Sequence, residues 1–190
     1  LNALVRALVS LASVASLACA SPDGRSTLRL EEEPACRTLT PASVGGPMPE
    51  QEHLMVLRYL GTASYEVAYR GQVLLLGAYY DGSRPPGSPT VGVRGEDVTR
   101  ADAIFVGHPH ADHIQDAPGI SLRTGAPIFV APAGRPFLEE AGVPADRIRY
   151  VRGGERLEMD GYVVTTALSI HSSFPPELVI KSLEVLSPTS

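Results

Sequence analysis

The sequence predicts a mixed-sheet α/β layer architecture, and three observations point to it. Two early segments, LMVLRYL and SYEVAY, alternate apolar and polar residues as half-buried strands do. Later apolar runs, AIFVG and PIFVAP, are short and continuous, as strands buried on both faces are. Antiparallel strand pairs come first, and strands interleaved with short helices follow.

Taken in order from His53, LMVLRYL and SYEVAY are the first two strands, and QVLLLGAYY is the third. The turn signal Arg70-Gly71 joins the second and third as a hairpin. DGSRPPGSPTVGVRGED is too rich in Gly and Pro for regular structure, and a short helix is expected around Glu96 to Arg100. AIFVG then reads as a strand, PIFVAP as another, GRPFLEEAG as a helix and RIRYV as a strand. ERLEMDGYVVTTALSI closes as a hairpin into a final strand. No internal repeat is visible.

Composition narrows the function. The chain has 190 residues, enough for one ordinary domain with a sizeable core. Its formal charge is −5, from 16 Lys and Arg against 21 Asp and Glu. No basic footprint exists, so nucleic acid is set aside as the principal partner. The 18 glycines and 17 prolines fall between short apolar runs, as a turn-rich domain requires.

The first 20 residues, LNALVRALVSLASVASLACA, carry one charge, Arg6, before an uncharged stretch that ends in small residues. That pattern is a secretory signal, with cleavage after Ala20, or a lipoprotein signal with lipid on Cys19. The box SLAC has Ser16 where a branched aliphatic residue is usual. The uncharged stretch is shorter than a spanning helix needs. An exported protein is expected, periplasmic, lipid-anchored or secreted. Cys36, the other of two cysteines, lies in a Pro-, Ser- and Thr-rich segment and offers no disulfide framework. Residues 21–52 read as a flexible linker, and 53–190 as the folded domain.

The stretch HPHADHIQD carries the chemistry. In an extended segment, residues two apart project the same way, so His108 and His110 face one point, and Pro109 holds His108 extended. A helix starting next would place Asp112 and His113 at its first turn, offering a carboxylate and a third imidazole from an adjacent direction. Neutral imidazole suits zinc, iron or manganese, and a carboxylate permits a second, harder site nearby. Any one of these histidines alone reads as a surface or core residue. Three with an aspartate in H-x-H-x-D-H order at a strand end read as a metal site. His171 follows the strand-like YVVTTALSI and is the natural further ligand, whereas His53 has no partner and reads as structural. Tyr79 and Tyr80, after the third strand, read as packing residues rather than pocket lining.

From Leu54 to Ser173 the chain resembles the metallo-β-lactamase-fold metallo-hydrolases, through HPHADH and the later His171 in TALSIHSS. Its opening LRYLGTASYEVAYRGQVLLLGAYYD looks like the lactonase-like and phospholipase D-like branches. The resemblance implies an αββα sandwich with metals at one edge. It assigns His108, His110 and His171 to a first metal, and Asp112 and His113 to a second. It further implies a small-molecule substrate and one or two ions, zinc first and manganese or iron otherwise, with an activated water attacking an ester, lactone or phosphodiester and Asp112 orienting or deprotonating that water. The sequence departs from the family twice. Gly77 in LLLGAYYD stands where the family commonly has Asp, with Asp81 nearby but out of register. After His171, SSFPPELVIKSLEVLSPTS contains neither Asp nor His, where the family has a bridging aspartate and a further histidine. Only the N-terminal part of the sandwich is therefore expected, with one sheet face uncovered. The other readings are a catalytically silent metal-binding fragment and an exported structural lipoprotein.

Overall fold

The computed structural model describes residues 40–169. The expected signal segment (residues 1–20, with Cys19), Cys36 and His171 lie outside the described residues.

Strands β1 (Met55–Tyr59), β2 (Tyr65–Tyr69) and β3 (Gln72–Leu76) form an antiparallel meander. The β2–β3 turn is Arg70-Gly71, both at positive φ (47° and 79°), which matches the twist of the strands it joins. Beyond β3 the sheet becomes parallel. Strands β4 (Ala103–Phe105), β5 (Ile128–Val130) and β6 (Ile148–Tyr150) continue it in sequence order, giving a six-stranded sheet β1-β2-β3-β4-β5-β6. Helices α1 (Ala111–Ile114) and α2 (Ala117–Thr124) connect β4 to β5, and α3 (Arg135–Glu140) precedes β6. A separate two-stranded hairpin, β7 (Arg156–Glu158) with β8 (Val163–Thr165), follows.

The two faces of the sheet have different coverings. On one face Val73, Leu75, Ile104, Ile128 and Val130 pack against Ile114, Ile120 and Leu138 of the helices. On the other, Leu74, Ala103 and Phe129 meet Leu157, Met159 and Tyr162 of the β7–β8 region, and Phe105 stacks on Phe129 with centroids 4.7 Å apart. Gln72 donates to the Asp160 carbonyl at 2.6 Å, fastening that hairpin to β3. The covering stops short of β1. Met55, Leu57 and Tyr59, opposite Tyr69, Val67 and Tyr65, are 59, 57 and 63% exposed. One apolar sheet face is therefore partly open among the described residues, as the sequence leads one to expect.

The structure departs from the sequence reading at three points. Glu96 to Arg100 is not a helix: a single 3₁₀ turn, Gly95–Asp97, occurs there, and Val98 is already extended. The Pro-rich segment before it and the glycines Gly92 and Gly95 leave too few residues for a helical nucleus. The second helix, α2, carries no amphipathic signature that would announce it, because the small residues Ala117, Pro118 and Gly119 begin it. Third, residues 41–46, within the expected linker, are built into the domain. Ala42 and Ser43 are buried, and their N–H groups each donate at 2.8 Å to the carboxylate of Glu66 on β2.

Glu66 has no solvent exposure and also accepts from Arg58 Nη1 at 2.9 Å. Two peptide N–H groups and a guanidinium satisfy the buried charge, so truncating it leaves three donors facing an apolar core. Glu66→Ala is expected to lower unfolding free energy by about 3 kcal/mol in urea denaturation. A loss under about 0.5 kcal/mol would show the tie to be dispensable.

Candidate metal centre

The site lies just beyond the C-terminal end of β4, where parallel sheets place their ligands. Val106 is the last buried residue of the run, and Gly107 is exposed. The chain then passes His108 and Pro109 in non-helical backbone, and His110 (φ −78°, ψ 153°) is the residue before α1. The His110 carbonyl accepts from His113 N at 2.9 Å and from Ile114 N at 3.1 Å, closing the turn. Ile114 is buried and points α1 into the core, which leaves Asp112 and His113 on the side facing His108.

Three of the expected residues converge. One ligand atom from each of His108, Asp112 and His113 lies within 4.8 Å of the others. The His108 and His113 rings are 3.9 Å apart between centroids, and Asp112 Oδ2 is 3.7 Å from His113 Nε2. His110 meets His108 edge to face at 4.6 Å. The resemblance sorts these residues into two ligand sets, yet the geometry joins His108 to Asp112 and His113 at least as closely as to His110. Asp112 is 43% exposed and His113 19%, so the group opens to solvent at one side. Two imidazoles and a carboxylate form a donor set that fits a divalent ion of the zinc, manganese or iron type.

The helical turn is held from behind by the loop after β3. Gly77 N donates to the Phe105 carbonyl at 2.7 Å, Ala78 N donates to the His113 carbonyl at 2.8 Å, and Asp116 N donates to the Ala78 carbonyl at 3.0 Å. Tyr79 and Tyr80 continue this loop and are buried, Tyr80 completely, in agreement with packing roles. Burial pushes the Tyr79 phenol up, and Asp112 and Asp116 add to the effect against the opposing Arg84. Its hydroxyl stays protonated through the neutral range.

Gly77 cannot be replaced by the family's aspartate on this backbone. It has φ +71°, and a Cβ there would lie 2.6 Å from the Ala63 carbonyl oxygen. Asp81 does not substitute for it: its carboxylate accepts from Val91 N at 2.9 Å and Gly92 N at 2.8 Å, closing its own loop. Nothing in the residue pattern singles out Asp116, the last residue of HPHADHIQD. Its place directly before Ala117-Pro118 resembles an ordinary helix start.

No family model matches the chain. Its sequence relatives are metal-dependent hydrolases. A UPF0173 metal-dependent hydrolase of Nitratidesulfovibrio vulgaris is 29% identical over 116 residues, covering 60% of this chain and 46% of that protein. One from Methylocella silvestris is 32% identical over 119 residues, covering 63% and 49%. The chain thus spans about half the length of the curated relatives it matches. Among solved structures, a metallo hydrolase from the archaeon Ignicoccus hospitalis is similar at 23% identity and TM-score 0.48, over 63% of this chain and 51% of that one. The expectation of a metal-dependent hydrolase, drawn from HPHADH, is supported by the two sequence relatives.

Gly77→Asp is expected to cost about 2 kcal/mol or more in denaturant unfolding, from the left-handed backbone and the Ala63 contact. Unchanged stability would mean that the loop after β3 tolerates a side chain there and is less rigidly placed.

Proposed function

We propose that the chain carries the metal centre of a hydrolase acting on an ester, lactone or phosphodiester, with zinc the preferred ion and one or two ions bound. The observation that carries this reading is the convergence of His108, Asp112 and His113 at the end of β4, with His110 against His108. His171, outside the described residues, belongs to the same proposed ligand set. His108, Asp112 and His113 would hold the ion, which would supply Lewis acidity and make water a better nucleophile near neutral pH.

The remaining steps belong to the protein. His108 and His113 offer neutral ring nitrogens and keep the opening on the solvent side. An Asp112 carboxylate oxygen accepts the proton of the attacking water, and its 43% exposure leaves that proton a path to solvent. The protonated Tyr79 phenol adds no charge to the region. Export, with or without lipid on Cys19, is part of this proposal and rests on the pattern of residues 1–20.

The test is hydrolysis by the zinc-loaded full chain of an aryl ester, a γ-lactone and bis(4-nitrophenyl) phosphate. Turnover of at least one is expected, with Asp112→Asn reducing kcat by about 100-fold. Bound metal without turnover of any would favour a metal-binding protein without catalysis.

A further inference from the structure

The Asp116 carboxylate turns away from the role its position suggests. It occupies the residue before α2, where Asp commonly caps a helix, yet it makes no side-chain cap bond to that helix. Instead Oδ2 accepts from Tyr80 N at 2.6 Å and Oδ1 accepts from Ser83 Oγ at 2.6 Å, both in the loop after β3. These are short, charge-assisted bonds of the stronger kind. The surrounding chain is shaped to admit the carboxylate. A Cβ on Gly95 would lie 2.7 Å from Asp116 Cγ, so only glycine fits beside it. Arg123 of α2 donates to the Gly95 carbonyl, which keeps that turn closed over the carboxylate.

Through its backbone, Asp116 also donates to Ala78, whose own N–H holds the His113 carbonyl. One residue therefore spans the junction between the turn bearing Asp112 and His113 and the loop supporting it from behind. We infer that Asp116 is a positioning residue for the metal centre: its carboxylate locks the loop Tyr80–Ser83 to the α1–α2 junction and so fixes the aim of Asp112 and His113 at His108. This rests on the metal-centre reading above. It also accounts for the absence of an aspartate at position 77, because the supporting carboxylate comes from the helix side of the interface instead of from the end of β3.

The test is cobalt(II) titration of the full chain, followed by visible absorption and accompanied by far-ultraviolet circular dichroism. Asp116→Ala is expected to retain the fold while weakening cobalt(II) by about tenfold or more, as losing a group that orients ligands does. Asp116→Asn should rescue binding to within about threefold of the parent, about the worth of one neutral hydrogen bond. Its Oδ1 can accept from Tyr80 N while its Nδ2 donates to Ser83 Oγ. A general structural loss would not be repaired in the absorption bands by that exchange. Should Asp116→Ala fail to fold, Ser83→Ala removes one of the two bonds and is expected to weaken cobalt(II) by a smaller factor. Parental affinity in Asp116→Ala, or in Ser83→Ala where that variant decides, overturns the inference and leaves the metal centre standing. So does an Asp116→Asn variant as weak as Asp116→Ala. A parent chain that binds no cobalt(II) overturns the metal centre itself, and this inference with it.

Discussion

One residue, Ala78, couples the loop leaving the sheet to the histidine-bearing turn through both of its backbone polar groups. Ala78 gives its N–H to the His113 carbonyl and its carbonyl to the Asp116 N–H, so the short helix α1 is bonded to the segment leaving β3 and not only to its own strand. A four-residue helix has almost no stability of its own, since nucleation costs more than one turn of hydrogen bonds returns. Its geometry must come from outside, and the Ala78 exchange with the burial of Ile114 supplies it. The aim of Asp112 and His113 follows from that docking.

The sheet places this clamp where it is needed. At β3 the meander changes to parallel pairing, so β3 and β4 end at the same edge, with Leu76 opposite Phe105. The segments leaving them, Gly77–Tyr80 and Gly107–His110, therefore emerge side by side. Gly77, with its left-handed backbone against Ala63, turns the first of these under the second. A side chain at that position would run into the Ala63 carbonyl, and the carboxylate found in this loop is that of Asp116, which accepts from Tyr80 N and Ser83 Oγ.

Much of the fold was legible because burial leaves periodic traces. The alternation in Met55–Tyr59 and Tyr65–Tyr69 and the continuous AIF and IFV runs mark strands with one and two covered faces, and the structure has them there. Helix α2 was not legible, since Ala117, Pro118 and Gly119 have no apolar stripe and are helical through tertiary contact. The burial of Ala42 and Ser43 was hidden for a similar reason. It depends on Glu66, and a glutamate in an alternating strand looks like a solvated residue until its partners are seen. At the site, residue types and spacing were enough to collect His108, His110, Asp112 and His113. The grouping of His108 with Asp112 and His113 depends on how tightly α1 turns, which spacing does not encode.

The central claim is that these residues hold a metal ion, and metal content per chain, by elemental mass spectrometry on freshly purified protein, tests it most directly. At least one ion per chain in the parent, with the ion lost in His108→Ala while the far-ultraviolet spectrum is kept, is the predicted result. A parent chain without metal, or a His108→Ala chain retaining the parent's content, would contradict it.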